Sequence, residues 1–145
     1  MSRNITVDPD GFGAAMKEIL TDAGIAVRRG ASEAVKKGLS VASKSWKKNA
    51  RAAFSGRYRK GGYVYTAGEY AASISYKMIR SDGELPHGEA GSRKLPGLPH
   101  LLEKGHATLG GGRVPGRLHI APAAEEAFKA TEEYMEEEIG KRLDS

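Results

Sequence analysis

The side chains of this protein that could do chemistry are densest between His100 and His119. His100, Glu103 and His106 recur every three residues, a spacing that can set imidazole, carboxylate and imidazole along one helix face and so raises a metal site. Gly105 stands in the way, because a glycine there is expected to close the helix and leave His106 outside it. The H-E-x-x-H spacing of helical zinc sites is also absent. Hydrogen-bonding and packing roles are the better account of these residues, and no cofactor is expected.

Gly110, Gly111, Gly112 and Arg113 invite comparison with a phosphate cradle. Such a loop must end in Gly-Lys-Ser/Thr and open a helix after a strand. Here Val114, Pro115 and Gly116 follow, so the glycines read as a loop tip. No G-x-S-x-G elbow is present. Cysteine is absent, which removes thiolate nucleophiles, disulfides and cysteine-bound zinc. Glu132 and Glu136 are paired carboxylates one helical turn apart, a spacing that is usually just solvated. No constellation for catalysis remains, and the protein is read as a non-enzyme.

Arg57, Tyr58, Arg59, Lys60, Tyr63 and Tyr65 interleave cations with aromatic rings, as nucleic-acid surfaces do. Arg57, Arg59 and Lys60 are the candidate DNA-facing side chains, with a solvated hairpin or inter-subunit loop as the alternative. Charge is divided unevenly. Residues 1–80 hold fifteen Lys or Arg against six acids, and residues 81–145 hold eight against twelve, so a half at +9 precedes a half at −4. That split fits a basic half facing a polyanion, or head-to-tail packing of opposite charges between neighbouring copies.

These residues need a scaffold, and 145 residues allow one domain over 1–145. With 39% hydrophobic and only 7% aromatic residues, much of it Ala and Gly, a lone copy would have a thin core and would gain from partners. From Phe12 the apolar positions step by three or four through Met16, Leu20, Ala23, Val27, Ala31, Ala34, Gly38, Ala42, Trp46 and Ala50 to Ala53, which predicts a helical arm over 9–54. Unbroken, it would be on the order of 65 Å long, so a break near Gly24 or Gly30 is expected. Its other face carries Arg28, Arg29, Lys36, Lys37, Lys44, Lys47, Lys48 and Arg51. The Ala and Gly seam permits close helix approach.

Residues 55–66 are expected to form a loop or hairpin, and the second half of Tyr70 to Arg80 a strand with Ile74, Tyr76 and Met78 on one side. Ser81, Asp82 and Gly83 would turn the chain into a return strand over 84–90, confined to a sheet edge by Pro86. His100 to Lys104 should make a short helix, Thr108 to Gly116 should be irregular, and Pro122 should sit in the first turn of a last helix. Ala123, Ala127, Phe128, Tyr134, Met135, Ile139 and Leu143 give that helix its apolar side. The fold class is thus α+β: a small antiparallel sheet flanked by a long N-terminal and a C-terminal helix, with a Gly-rich projecting loop. No apolar run near the N-terminus fits a signal peptide or membrane span, so a cytoplasmic protein is expected.

The run from His100 through Leu101, Leu102, Glu103, Gly105, His106, the three glycines, Arg113, Pro115, Gly116, Arg117 and His119 to Pro122 resembles the tail-completion, or head-to-tail joining, proteins of long-tailed bacteriophages and prophages. In that family a His-Leu-Leu-Glu-x-Gly-His turn leads to a Gly-rich loop, a Pro-x-Arg-Pro-His-like strand and an Ala-Pro-Ala helix start. Here Arg117-Leu118-His119 replaces Arg-Pro-His. The match covers about a sixth of the chain, and the order around it agrees: an Ala-rich helix, Thr66 to Tyr70 leading into Ser73-Ile74, the signature, then an acidic helix. The Lys94 to Pro99 stretch and the expanded loop at Arg57 to Gly62 depart from the pattern.

The resemblance implies a structural virion protein made in the host cytoplasm and built into the neck. It would form a homo-oligomeric ring, six-fold in that family, between the head connector or stopper and the tail tube or terminator, with the basic half lining a DNA channel. A tail terminator ring, or a free-standing protein binding nucleic acid non-specifically, are the alternatives. Leu101 and Leu102 would anchor the short helix, Glu103 and His106 would satisfy nearby polar groups, and Gly105 would let the chain reverse.

Overall fold

A computed structural model describes residues 4–7, 25–60, 63–79, 86–107 and 110–143. Strand β1 (Ile5–Val7) precedes helix α1 (Ile25–Ala53). A hairpin of β2 (Arg57–Lys60) and β3 (Tyr63–Thr66) leads to helix α2 (Ala67–Ala72), then β4 (Ile74–Ile79) and β5 (His87–Ser92). Helix α3 (Leu98–Lys104), a second hairpin of β6 (Gly105–Ala107) and β7 (Arg113–Pro115), and helix α4 (Ile120–Leu143) complete the order. The protein is α+β, a small antiparallel sheet with a long N-terminal and a C-terminal helix.

Helix α1 has 29 described residues, about 43 Å at 1.5 Å per residue. It runs unbroken through Gly30, one of the two places where a break was expected, because the buried positions Ala31, Ala34, Val35, Gly38, Leu39, Ala42, Trp46 and Ala50 keep a helical step on two adjacent seams. The expected first part of the arm, including Met16, Leu20 and Gly24, lies outside the described residues. One seam meets α4, and the helices pack so closely at Gly38 that a Cβ there would overlap Thr131 Oγ1. Thr131 is buried and its hydroxyl donates to Ala127 O at 2.7 Å, so its polar atom is satisfied within its own helix. Asn49 of α1 lies at the start of α4 and Gly38 lies farther along it, so the two helices run antiparallel. The other seam faces the sheet.

That sheet has the order β1-β5-β4, all antiparallel. Register aligns Ile5, Ala90 and Tyr76 in one row and Val7, Gly88 and Met78 in the next, all on the face towards α1. The middle strand contributes Gly88 and Ala90, small enough for α1 to come down on it: a Cβ at Gly88 would strike Leu39 Cδ1. The strand expected at an edge is therefore the central one. Pro86 does not prevent this, since it lies just before the first paired residue, His87, and removes no ladder hydrogen bond. Ile74, Tyr76 and Met78 do share the core side, as their alternation predicts. β1 was not foreseen.

Thr66 caps α2 by accepting from the Glu69 N–H at 3.1 Å, and this short helix delivers Tyr70 into the core. Leu98 and Pro99 already belong to α3, one residue pair earlier than expected. Of the stretch expected to be irregular, Arg113 to Pro115 pairs instead, with Val114 opposite His106 and Arg113 opposite Ala107. On α4, Ala123, Ala127, Thr131 and Met135 are buried, whereas Phe128 is 40% exposed, a correction to its expected place in the core. It falls one position round from Ala127, at the edge of the buried stripe. Among the described residues no helix is long and apolar enough to cross a membrane.

Gly38→Ala should destabilise the protein by about 1–3 kcal/mol through overpacking. Gly140→Ala, at a helical glycine with open space around it, should stabilise it by about 0.5–1 kcal/mol. Denaturant midpoints of the two variants check both signs.

Candidate functional site: the signature segment and its buried cap

The start of α4 must satisfy four backbone N–H groups that have no partner within the helix. They belong to His119, Ile120, Ala121 and Pro122, and Pro122 carries no N–H to satisfy. Glu103 supplies the remainder from α3: its Oε1 accepts from His119 N at 2.7 Å and Ile120 N at 2.9 Å, and its Oε2 accepts from Ala121 N at 2.9 Å. One carboxylate thus closes the helix end, with its negative charge at the positive pole of the helix dipole. Burial raises the cost of that charge, yet the three backbone donors and the nearby His119 outweigh it, and the carboxyl lies below its ordinary 4.5.

His119 is fully buried and is pinned from both ring nitrogens. Nδ1 shares its proton between Glu103 Oε1 at 2.8 Å and Arg117 O at 2.9 Å. Nε2 then accepts from the Tyr70 hydroxyl at 2.7 Å, and Tyr70 in turn accepts from Trp46 Nε1 at 2.9 Å. Every proton in this row has one direction, and the row needs a neutral imidazole. Burial favours the same state by pushing the His119 pKa below 6.5, against the raising pull of Arg117 O and Glu103. Burial also pushes the Tyr70 hydroxyl far above its ordinary 10.0, so it keeps its proton. Phe54, Trp46 and Tyr70 meet the imidazole edge-on, with the Phe54 centroid 4.8 Å away.

Carboxylate, imidazole and hydroxyl in sequence are the parts of a nucleophilic relay. In this row the hydroxyl is wholly buried and the carboxylate holds backbone, so each group is engaged in closing the core. Around the row the segment is tied down further. Asn49 Nδ2 donates to His119 O at 3.1 Å, Arg117 N donates to Leu102 O at 2.8 Å, and Arg117 Nη1 donates to Ala53 O at 2.6 Å at the end of α1. Gly105 takes φ of 81°, where a side chain would be strained, and turns the chain from α3 directly into β6.

The sequence-selected residues therefore divide. Glu103, His119, Arg117, Pro122, Leu102 and Gly105 converge on the cap. Gly110, Gly111, Gly112 and Arg113 lie on the exposed distal part of the β6–β7 hairpin, with Arg113 Nη2 donating to Lys104 O at 3.2 Å. Pro115 and Gly116 are exposed on its returning arm. His100 and Leu101 are half-buried on α3. His106 does not satisfy a polar neighbour as expected, because its Nδ1 is buried with no hydrogen-bond partner among the described residues. It has passed beyond Gly105 onto β6, out of line with Glu103. No group of three or more His, Asp or Glu that could hold a metal occurs among the described residues.

Arg57 is brought to the same region, where it lines a groove of about 520 Å³ with Arg117, His106 and Val114. Arg59 and Lys60 follow it on β2, and their side chains lie outside the described residues. Sequence reasoning missed Trp46 and Tyr70 as members of the row and Asn49 as a donor beside it. The Thr66 to Glu69 capping spacing before Tyr70 was the available signal. No protein-family model, curated protein or solved structure matches this chain.

Glu103→Gln should cost about 2 kcal/mol or more, because an amide N–H₂ replaces an acceptor that faces backbone donors. Stability should be greatest between about pH 7 and 10. As pH falls through 6.5 the unfolded chain protonates His119 while the folded one resists, and below 4.5 the unfolded chain protonates Glu103 first. Above 10.0 the unfolded chain releases the Tyr70 proton that the folded one retains. Denaturation across pH should show these arms, and Glu103→Gln should flatten the arm below 4.5.

Proposed function

We propose that this protein is a structural assembly subunit of a tailed phage or prophage that forms a ring at the head-tail interface, completing the tail or joining it to the head. The carrying observation is that Glu103, His119 and Pro122, far apart in the signature, together close one helix end. The motif's order thus has a single physical purpose: it seats a Gly-tipped hairpin on a fixed base. The hairpin tip at Gly110 to Gly112 is exposed, as a part that grips a neighbour would be. A ring of six, as the resemblance implies, would sit between the connector or stopper and the tail tube or terminator. A tail terminator ring is the variant of this reading. Light scattering of the protein, alone and mixed with connector and tail proteins, should show a ring-sized species, and particles made without it should accumulate as separate heads and tails. A protein that stays monomeric in all these mixtures would overturn the reading.

A second reading is favoured by the outer face of α1, where Arg29, Lys36, Lys37, Lys44, Lys48 and Arg51 are exposed together. Such a face suits phosphate contacts without sequence preference. In a ring it would line the DNA channel; free-standing, it would make the monomer a non-specific nucleic-acid binder. The isolated protein should then bind duplex DNA at low salt, with affinity falling steeply as salt rises; neutralising Lys36, Lys37, Lys44 and Lys48 together should abolish binding, and neutralising Arg57, Arg59 and Lys60 together should weaken it if β2 extends the contact. No detectable binding at low salt excludes the free-standing form.

A further inference from the structure

The groove lined by Arg57 and Arg117 also takes in Ser55 and His106, and the rest of its lining is apolar, with Phe54, Leu98, Leu101, Leu102, Val114 and Pro115 along it. Val114 is 41% exposed at this groove, a large apolar side chain left open to solvent. Elsewhere on the chain the outer face of α4 presents the opposite chemistry. Glu125, Glu126, Glu132, Glu133, Glu136 and Glu137 are exposed there, with Lys129 and Lys141 the exposed cations among its described side chains. Within this acidic face sits the exposed ring of Phe128. Glu125 and Glu132 lie three residues before and four after it, so they flank the ring on one stripe of the helix.

An apolar groove bearing two arginines and an aromatic ring between two carboxylates are complementary in shape class and in charge. We propose that the groove receives the Phe128 face of α4 from a second copy of this chain, the ring seated against Val114 and Leu101 and its flanking carboxylates meeting Arg57 and Arg117. The inference rests on the ring reading and names the surfaces that would build it. The two patches differ, so each copy offers one and accepts the other, and such a head-to-tail contact propagates and gives a ring where its rotation closes. A buried aromatic anchor surrounded by charged pairs is also the usual form of an interface hot spot. The uneven charge of the two halves of the sequence has a use here, because like faces repel and unlike faces are steered together.

The chain has no cysteine, so single introduced thiols report on contacts cleanly. Ser55→Cys on the groove lining and Lys129→Cys beside Phe128 leave both proposed anchors in place, and mixed and oxidised they should yield at least tenfold more cross-linked heterodimer than Ser55→Cys mixed with Glu33→Cys, a control on the exposed side of α1. Phe128→Ala and Arg57→Glu, both at exposed positions outside the buried row, should each raise the concentration needed for self-association at least tenfold in sedimentation. Their equimolar mixture should stop at dimers, since only one competent groove and one competent helix face remain. Equal cross-linking to the control, with both variants assembling as the unsubstituted protein does, overturns this pairing and leaves the ring standing. Absence of any assembly by the unsubstituted protein, alone or with connector and tail proteins, overturns both.

Discussion

The structure depends on one carboxylate. Glu103 accepts the backbone donors of His119, Ile120 and Ala121, and through them fixes where α4 begins. Removing an ion from water is costly, and it is tolerated here because three donors and a helix dipole converge on the same two oxygens. The charge then orients the neutral His119, whose other nitrogen orients Tyr70, which takes the Trp46 N–H. A helix end, a hairpin and the middle of the core share one hydrogen-bonded row.

Packing around that row is unusually reliant on small residues. Gly38 lets α1 and α4 approach to the point where a methyl group would not fit, and Gly88 does the same between α1 and the sheet. The gain from each such contact is modest, since Ala and Gly bury little apolar area. The buried polar row supplies directionality that so thin a core would lack, and a fully satisfied network of this kind specifies one arrangement. Rigidity at the cap has a consequence at the surface: the β6–β7 hairpin leaves from Gly105 and returns at Arg117, and both ends are held. Its tip can project without moving its base.

The signature is therefore better understood as architecture than as a reactive site. Its histidines and glutamate sit at a spacing that invites a metal, but Glu103 faces the helix end and His106 lies on a strand. The groove beside the hairpin and the acidic face of α4 are open to other molecules, and they carry opposite charge.

Sequence alone determined the parts whose periodicity is local. The three- and four-residue steps from Val27 to Trp46 and from Ala123 to Met135 specify two amphipathic helices, the alternation of Ile74, Tyr76 and Met78 specifies a strand, and Gly105 specifies a helix stop. It also held the resemblance at His100 to Pro122, which is a statement about residue order. Tertiary structure decided what local pattern does not encode. His87 to Ser92 reads poorly as a strand because its Gly and Ala are chosen for the closeness of α1, and only that contact makes it the centre of the sheet. Phe128 lies outside the core although Met135, two helical turns further along, is fully buried, a difference that the local pattern does not encode. Trp46, Tyr70, Glu103 and His119 are separated by up to 73 positions of sequence and become neighbours only when α1, α2, α3 and α4 pack. Hydrogen bonds across such distances leave no periodic trace, since each residue is selected by a partner that the chain brings near only on folding.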